Sequence, residues 1–124
     1  MIGTDIVKIS RIAAAIESDA FLNRVFTKSE RDYCDGKPDR AQSYAGIFCA
    51  KESAVKAVKC GFGAGVMPTD IEIGHDGTGA PTLTAHGGAA RFFDGCEASV
   101  SISHDGDYAV AVVMLVKQSD GKGI

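Results

Sequence analysis

The chain has 124 residues and a formal net charge of −3, which fits a single domain and argues against a general nucleic-acid binder, whose surface carries a basic excess. No apolar run approaches the roughly 18 residues that a membrane span needs, so no membrane association is expected. The four cysteines at positions 34, 49, 60 and 96 show neither a CxxC pair nor a zinc spacing, and they indicate reduced thiols in a cytoplasmic protein.

The N-terminal segment is predicted to be a short strand followed by helices. Residues 1–9 mix apolar residues with small and charged ones, and we interpret them as a short strand. A helix is expected to begin near Ser10 or Arg11. The apolar pattern continues over residues 21–26.

The middle of the chain contains the clearest helical pattern. Residues 27–30 read Thr-Lys-Ser-Glu, a capping box that predicts a helix start. Residues 36–39 interrupt that helix with glycine and proline. Apolar side chains at helical spacing then predict a long helix over residues 40–59, which ends before Gly61.

The second half is predicted to form two hairpins. Residues 70–73 would pair with residues 81–85, and residues 99–103 with residues 108–116, because Asp-Gly turn sequences separate the members of each pair. A short helix is expected within residues 87–95. The predicted fold class is therefore α+β, a mainly antiparallel sheet packed against one long helix and smaller helices.

Polar residues stand out at two places in this pattern. Asp5 lies in an otherwise apolar strand, where a carboxylate needs a partner, a metal ion or a helix to cap. Glu52 and Lys56 are four residues apart on the long helix and share a face, so they form either an exposed ion pair or part of a site. Lys51 and Lys59 are expected on a solvated face.

A serine and a histidine lie side by side in the last hairpin. Ser103, His104 and Asp105 contain the residue types of a hydrolase triad, but successive strand residues point to opposite faces, so Ser103 and His104 do not meet easily. A strand end is the better interpretation. His104 could still contact a ligand phosphate.

Several segments together resemble the holo-acyl-carrier-protein synthases, which are small 4′-phosphopantetheinyl transferases. The similarity spans residues 2–115, and its motifs occur in the order and spacing of that family. The motifs are Gly3-Thr4-Asp5-Ile6-Val7 with Arg11-Ile12, Phe48-Cys49-Ala50-Lys51-Glu52 followed by Lys56, Asp70-Ile71-Glu72-Ile73, Gly79-Ala80-Pro81, and Ser101-Ile102-Ser103-His104 with Tyr108-Ala109.

The resemblance implies a transferase domain over residues 1–116, followed by a polar tail over residues 117–124. It implies transfer of phosphopantetheine from coenzyme A to a carrier-protein serine, with Asp5 and Glu52 as Mg²⁺ ligands and Lys56 on the coenzyme A phosphates. Mg²⁺ suits such a site because it prefers one or two carboxylates plus substrate phosphates. Glu52 or a water on the metal would accept the serine proton.

The resemblance also implies contacts outside the catalytic group. Gly79 and Pro81 would line the adenine, and His104 would lie near the 3′-phosphate of the nucleotide. Arg11 and Arg24 would contact the acidic acyl carrier protein. Members of the family are typically homotrimers with each active site between two subunits.

Two residues depart from the family pattern. Ile47 replaces an arginine that precedes the phenylalanine of the long-helix motif, and Ala80 replaces a basic residue between glycine and proline. Both changes remove cations expected near coenzyme A. They leave open an alternative, a non-catalytic relative that binds coenzyme A or a carrier protein without turnover.

Overall fold

The structure is a computed structural model that describes residues 1–63 and 65–118. Its regular elements in chain order are β1 (Ile2–Lys8), α1 (Ile9–Ala15), α2 (Asp19–Val25), α3 (Lys28–Asp35), α4 (Arg40–Ala57), β2 (Ile71–His75), β3 (Pro81–Ala85), α5 (Ala90–Phe93), β4 (Cys96–Asp105) and β5 (Tyr108–Lys117), with 3₁₀ turns at Pro68–Asp70 and Gly87–Ala89. The predicted α+β class is confirmed. All strand pairs are antiparallel, but they form two sheets, β1-β5-β4 and β2-β3.

The long helix α4 covers one face of the three-stranded sheet. In β1 the residues alternate, so that Gly3 and Val7 are buried while Ile2 and Ile6 are exposed on the opposite face. In β5 the buried positions are Ala109, Ala111, Val113 and Leu115. Eleven of the 18 residues of α4 are buried, because the helix contacts the sheet on one side and α1, α3 and β2 on others. Within the described residues, no helix is both long enough and apolar enough to cross a membrane.

Element boundaries differ from the predicted ones by a few residues. Helix α4 ends at Ala57, two residues early, and Lys59 adopts a positive φ of 59°. Strand β4 begins at Cys96, three residues earlier than expected. Strand β5 extends to Lys117, the first residue of the predicted tail; residues 119–124 of that tail lie outside the described residues.

The capping box at the start of α3 is confirmed, and its glutamate does more than cap. The Glu30 backbone donates to Thr27 Oγ1 at 3.3 Å, and the Thr27 backbone donates to Glu30 Oε1 at 2.8 Å. The Ile73 backbone of β2 donates to Glu30 Oε2 at 2.7 Å. The same carboxylate forms an ion pair of 2.8 Å with Lys51 of α4, and both side chains are fully buried. Glu30 therefore joins α3, α4 and β2.

The expectation that Lys51 is solvated is wrong. Its ammonium group donates to the carbonyl oxygens of Pro68, at 2.9 Å, and of Ile71, in addition to Glu30. Three donors thus meet three acceptors, which satisfies the hydrogen-bonding capacity of a lysine. Helical periodicity could not reveal this position, because the acceptors come from distant parts of the chain.

Lys51→Met is expected to lower the free energy of unfolding by about 3–5 kcal/mol, because it leaves the Glu30 carboxylate buried and uncompensated. Adding Glu30→Gln should recover part of the loss, since the amide removes the buried charge and keeps an oxygen for one of the two backbone donors. Urea unfolding monitored by circular dichroism measures the free energy of unfolding of the single and the double variant.

The matched control for that experiment is Lys28→Met. Lys28 pairs with Asp32 at 2.8 Å, but 89% and 66% of the two side chains are exposed, so its loss should change stability by less than about 1 kcal/mol. Equal effects of the two lysine substitutions would contradict the role assigned to the buried pair.

Candidate functional site

Asp5 and Lys56 form an ion pair between β1 and α4. The side chain of Asp5 points to the face of β1 that meets α4, and the distance from Lys56 Nζ to Asp5 Oδ1 is 2.9 Å. Lys56 also donates to the Thr4 carbonyl oxygen at 3.1 Å. The helix-cap interpretation of Asp5 is wrong, because the residue at the N-cap of α1 is Lys8. The interpretation of Lys56 as an exposed partner of Glu52 is also wrong, since its partner is Asp5.

Glu52 lies one turn before Lys56 and is half-buried. Burial raises the pKa of Glu52, the negative charge of Asp5 raises it further, and Lys56 and Arg11 oppose the shift. Asp5 and Glu52 are therefore close enough to repel each other. Among residues 1–63 and 65–118, no cation lies within ion-pair distance of Glu52. Lys56 balances the charge of Asp5, so in the described part of the chain Glu52 is the carboxylate of this pair that has no direct ion-pair partner.

A glycine allows β1 to come this close to α4. A Cβ atom on Gly3 would lie on the carbonyl oxygen of Ser53 and 2.6 Å from the Ala57 nitrogen. The strand backbone therefore contacts the helix backbone directly. The Ala111 carbonyl of β5 accepts hydrogen bonds from Ser53 Oγ at 3.0 Å and from Thr4 Oγ1 at 3.1 Å, so that α4 and β1 are tied to the same point of the central strand.

A second group of predicted residues lines a cavity of about 310 Å³. Gly79, Pro81 and His104, which come from two different hairpins, all contribute to its wall, together with Ile47 of α4 and Ile102 of β4. The sequence interpretation missed five further polar residues of this wall, for which no motif gave a signal: Tyr33, Lys37, Gln42, Ser43 and His75.

The carboxylate pair and the cavity lie side by side on the same face of the sheet. Ala111 of β5 is paired with Asp5 on one side and with Ile102 on the other. Two strand spacings therefore separate Asp5 from Ile102, or roughly 10 Å. Along α4, Ile47 and Glu52 are five residues apart, which corresponds to about 8 Å of helix. The arrangement suits an extended ligand with one end in the cavity and the other at the carboxylates.

The comparison with protein families gives a match over most of the chain. The model of the 4′-phosphopantetheinyl transferase superfamily matches residues 1–113. Curated relatives include the holo-[acyl-carrier-protein] synthases of Koribacter versatilis, 42% identical with 91% of this chain and 94% of the relative covered, and of Geobacter metallireducens, 41% identical with the same coverage.

Solved structures agree with this result. The holo-[acyl-carrier-protein] synthase of Helicobacter pylori, in complex with coenzyme A, is 36% identical, with a TM-score of 0.83 over 94% of this chain and 100% of that one. The Neisseria meningitidis synthase is 31% identical, with a TM-score of 0.84 over 94% of this chain and 97% of that one.

Fold and similarity together define the class of the protein, a single-domain α+β transferase. The chain belongs to the 4′-phosphopantetheinyl transferase superfamily. The resemblance to holo-acyl-carrier-protein synthases inferred from the sequence motifs is thereby confirmed.

Gly3→Ala is expected to destabilise the protein by about 1–3 kcal/mol. The added methyl group clashes with backbone atoms of α4, which cannot move aside by a change of side-chain rotamer. Urea unfolding measures the loss. Gly77→Ala is the matched control, since a Cβ at Gly77 has nothing within 4 Å and should leave stability almost unchanged. A silent Gly3→Ala variant would show that β1 and α4 are not in backbone contact.

Proposed function

We propose that the protein transfers the 4′-phosphopantetheine group of coenzyme A to a serine of an apo-acyl carrier protein and releases adenosine 3′,5′-bisphosphate. The observation that carries the proposal is the cluster of Asp5, Glu52 and Lys56 beside a cavity of suitable size. The names of the relatives support it, as does the coenzyme A bound to the Helicobacter pylori structure.

Asp5 and Glu52 would hold Mg²⁺ in this proposal. Two oxygen-bearing side chains on adjacent elements fit this ion, which usually takes one or two carboxylates and completes its coordination with water and substrate phosphates. Within the described residues no group of three or more His, Cys, Asp or Glu side chains forms a fuller metal site, so the substrate would supply the missing ligands. The ion would neutralise charge on the diphosphate during transfer.

The protein side chains contribute positioning and charge. Lys56 carries a half-exposed ammonium group that would bind the diphosphate beside the ion. Phosphoryl transfer depends mainly on such positioning and charge stabilisation. Glu52, or a water molecule held at the ion, would accept the serine proton. Gly79, Pro81 and His104 would hold the nucleotide end in the cavity.

The carrier protein would bind on the side of α1 and α2. Arg11 on α1 and Arg24 on α2 are both exposed, and Arg11 is close enough to Glu52 to lower its pKa. An acidic carrier bound at Arg11 would therefore have its serine near the carboxylate pair. A cytoplasmic location and a role in fatty acid biosynthesis are consistent with this substrate and stay predictions.

The second candidate function is binding without turnover. Its support is Ile47, whose apolar side chain is almost fully buried where the family pattern has a cation. The close approach of Asp5, Glu52 and Lys56 favours the catalytic proposal instead, because mutually repelling carboxylates are costly and a binding module has no use for them.

Mixing the protein with coenzyme A, Mg²⁺ and an apo carrier protein should produce a phosphopantetheine mass gain on the carrier, measured by mass spectrometry. Excess chelator should abolish the gain. Asp5→Asn and Glu52→Gln should each reduce the transfer rate by at least about a hundredfold, because each removes a charged ligand. Glu52→Gln should leave the melting temperature equal or higher, since it removes a partly buried charge without a partner.

Asp94→Asn is the control, because Asp94 is exposed and lies just before the end of β4 that is far from Asp5 in the register of the sheet. Near-normal transfer rates for both Asp5→Asn and Glu52→Gln would contradict the assignment of these residues as Mg²⁺ ligands. Binding of coenzyme A without any transfer by the unmodified protein would instead establish the non-catalytic alternative.

The outer face of the three-stranded sheet supports a homotrimer. Ile2 and Ile6 of β1 are 67% and 61% exposed, and Met114 and Val116 of β5 are 46% and 55% exposed. The register places Ile2 opposite Met114, so these side chains form one apolar patch. Contiguous apolar patches mark association surfaces. The number of three subunits comes from the family resemblance, which implies a cyclic trimer built from a heterologous contact that closes on itself.

Light scattering at micromolar concentration should give three chain masses. Met114→Asp should shift the protein towards the monomer, because it places a charge inside the apolar patch. Thr82→Asp, on the exposed side of β3, should leave the mass unchanged. A monomer mass for the unmodified chain would contradict the trimer.

A further inference from the structure

The cavity beside α4 has the charge character of an anion-binding site. Its lining includes Lys37, His75 and His104 and contains no aspartate or glutamate. This composition contrasts with a chain that has 16 acidic and 13 basic residues overall. A cavity free of carboxylates in an acidic protein favours a negatively charged ligand.

An aromatic stack forms one wall of this cavity. The imidazole of His75, at the end of β2, stacks on the ring of Tyr33 of α3 with 3.9 Å between centroids and 15° between planes. The ammonium group of Lys37 lies 4.5 Å from the centre of the same Tyr33 ring, a cation–π contact. Tyr33 therefore holds both basic side chains, although they come from separate parts of the fold.

Two carboxylates that neighbour this wall in sequence, Asp35 and Asp76, are engaged in other hydrogen bonds. Asp76 follows His75 directly, but its Oδ1 accepts from the Thr78 backbone at 2.8 Å, the Thr78 hydroxyl at 2.6 Å and the Ala80 backbone at 3.1 Å. Asp35 accepts from Arg40 and from the Tyr44 hydroxyl. In the described part of the chain, no carboxylate lies within ion-pair distance of Lys37.

Lys37 carries the permanent charge of this wall. Burial lowers the pKa of His75 and the charge of Lys37 lowers it further, while the charge of Asp76 opposes the shift. With its pKa below the usual value, the imidazole is neutral at pH 7 and acts as a stacking group. The wall formed by α4 offers no charge, because Ile47 is 2% exposed and apolar. Ala80, in the turn between β2 and β3, has a methyl side chain and contributes no charge either.

We propose that Lys37, positioned by the Tyr33–His75 stack, binds the 3′-phosphate of the coenzyme A nucleotide and replaces the cations that Ile47 and Ala80 remove. The inference rests on the proposed function, since it assumes coenzyme A in this cavity. His104 lines the same cavity. Charge-assisted contacts of this kind are the stronger class of hydrogen bond.

Isothermal titration calorimetry of the full chain with coenzyme A and with 3′-dephospho-coenzyme A tests the inference. The unmodified protein should bind coenzyme A at least tenfold more tightly than the dephospho form. Lys37→Met should weaken coenzyme A binding by roughly tenfold or more and leave the dephospho form unaffected, so the preference disappears. Lys37→Arg should retain most of the preference.

Two further variants keep the result specific. Tyr33→Phe preserves the stack and should preserve the preference, whereas Tyr33→Leu should reduce it. Lys117→Met, an exposed lysine at the end of β5, is the charge-matched control and should change nothing. Melting temperatures of all variants identify any loss of fold.

Equal weakening of both ligands by Lys37→Met, or no preference in the unmodified protein, would overturn the inference and leave the proposed transfer activity intact. Failure of the unmodified protein to bind either ligand or to modify a carrier protein would overturn the proposed function, and the inference with it. The two failures are therefore distinguishable.

Discussion

Glu30 and Lys51 lie in the interior with almost no exposure to water, and their charges are balanced by each other and by backbone groups. Removing two ions from water costs several kcal/mol for each, and only close pairing with additional hydrogen bonds offsets that cost. Here the additional bonds come from the start of α3, the turn before β2 and β2 itself. The pair can form only when these segments and α4 are all in place, so it couples their positions to one another.

The same pair fixes the rotation of α4, on which both parts of the site depend. Successive helix residues point about 100° apart, so a buried and tethered Lys51 places Glu52 on the neighbouring face, towards β1. Lys56, one turn further, then reaches Asp5. Earlier in the helix, Ile47 faces the cavity. A rotation of α4 large enough to release Lys51 would move all three side chains from their places.

Local patterns predicted the parts of the structure that depend on local physics. The mixed apolar composition of residues 1–9 predicted a strand and the capping box of α3 predicted a helix start, because both are determined by neighbouring residues. The motifs that resemble the transferase family predicted that Asp5, Glu52 and Lys56 belong to one site. The second role of Glu30 was not predictable, because its Oε2 bonds to Ile73, 43 residues away. The capping motif accounts for only one of its carboxylate oxygens.

The cavity wall shows the same limit. Its stack depends on the end of α3 meeting the end of β2, a juxtaposition that follows from the Glu30 contact with β2 and not from any spacing in the sequence. Single tyrosine, lysine and histidine residues carry no signal until the fold brings them within a few ångströms. For Lys51 the sequence pattern led to a wrong prediction, because a lysine on a helix is usually solvated and this one is buried.

The direct contact of Gly3 with the backbone of α4 also restricts how β1 can pair with β5. A shift of one residue in this pairing would turn every side chain of β1 to the opposite face. Ile2 or Thr4 would then occupy the place of Gly3, where no side chain fits, and Asp5 would turn towards the apolar patch. Misregistered chains would thus lose helix packing and the carboxylate pair together. The absence of a side chain at one position protects the protein from folding into a well-packed but inactive form.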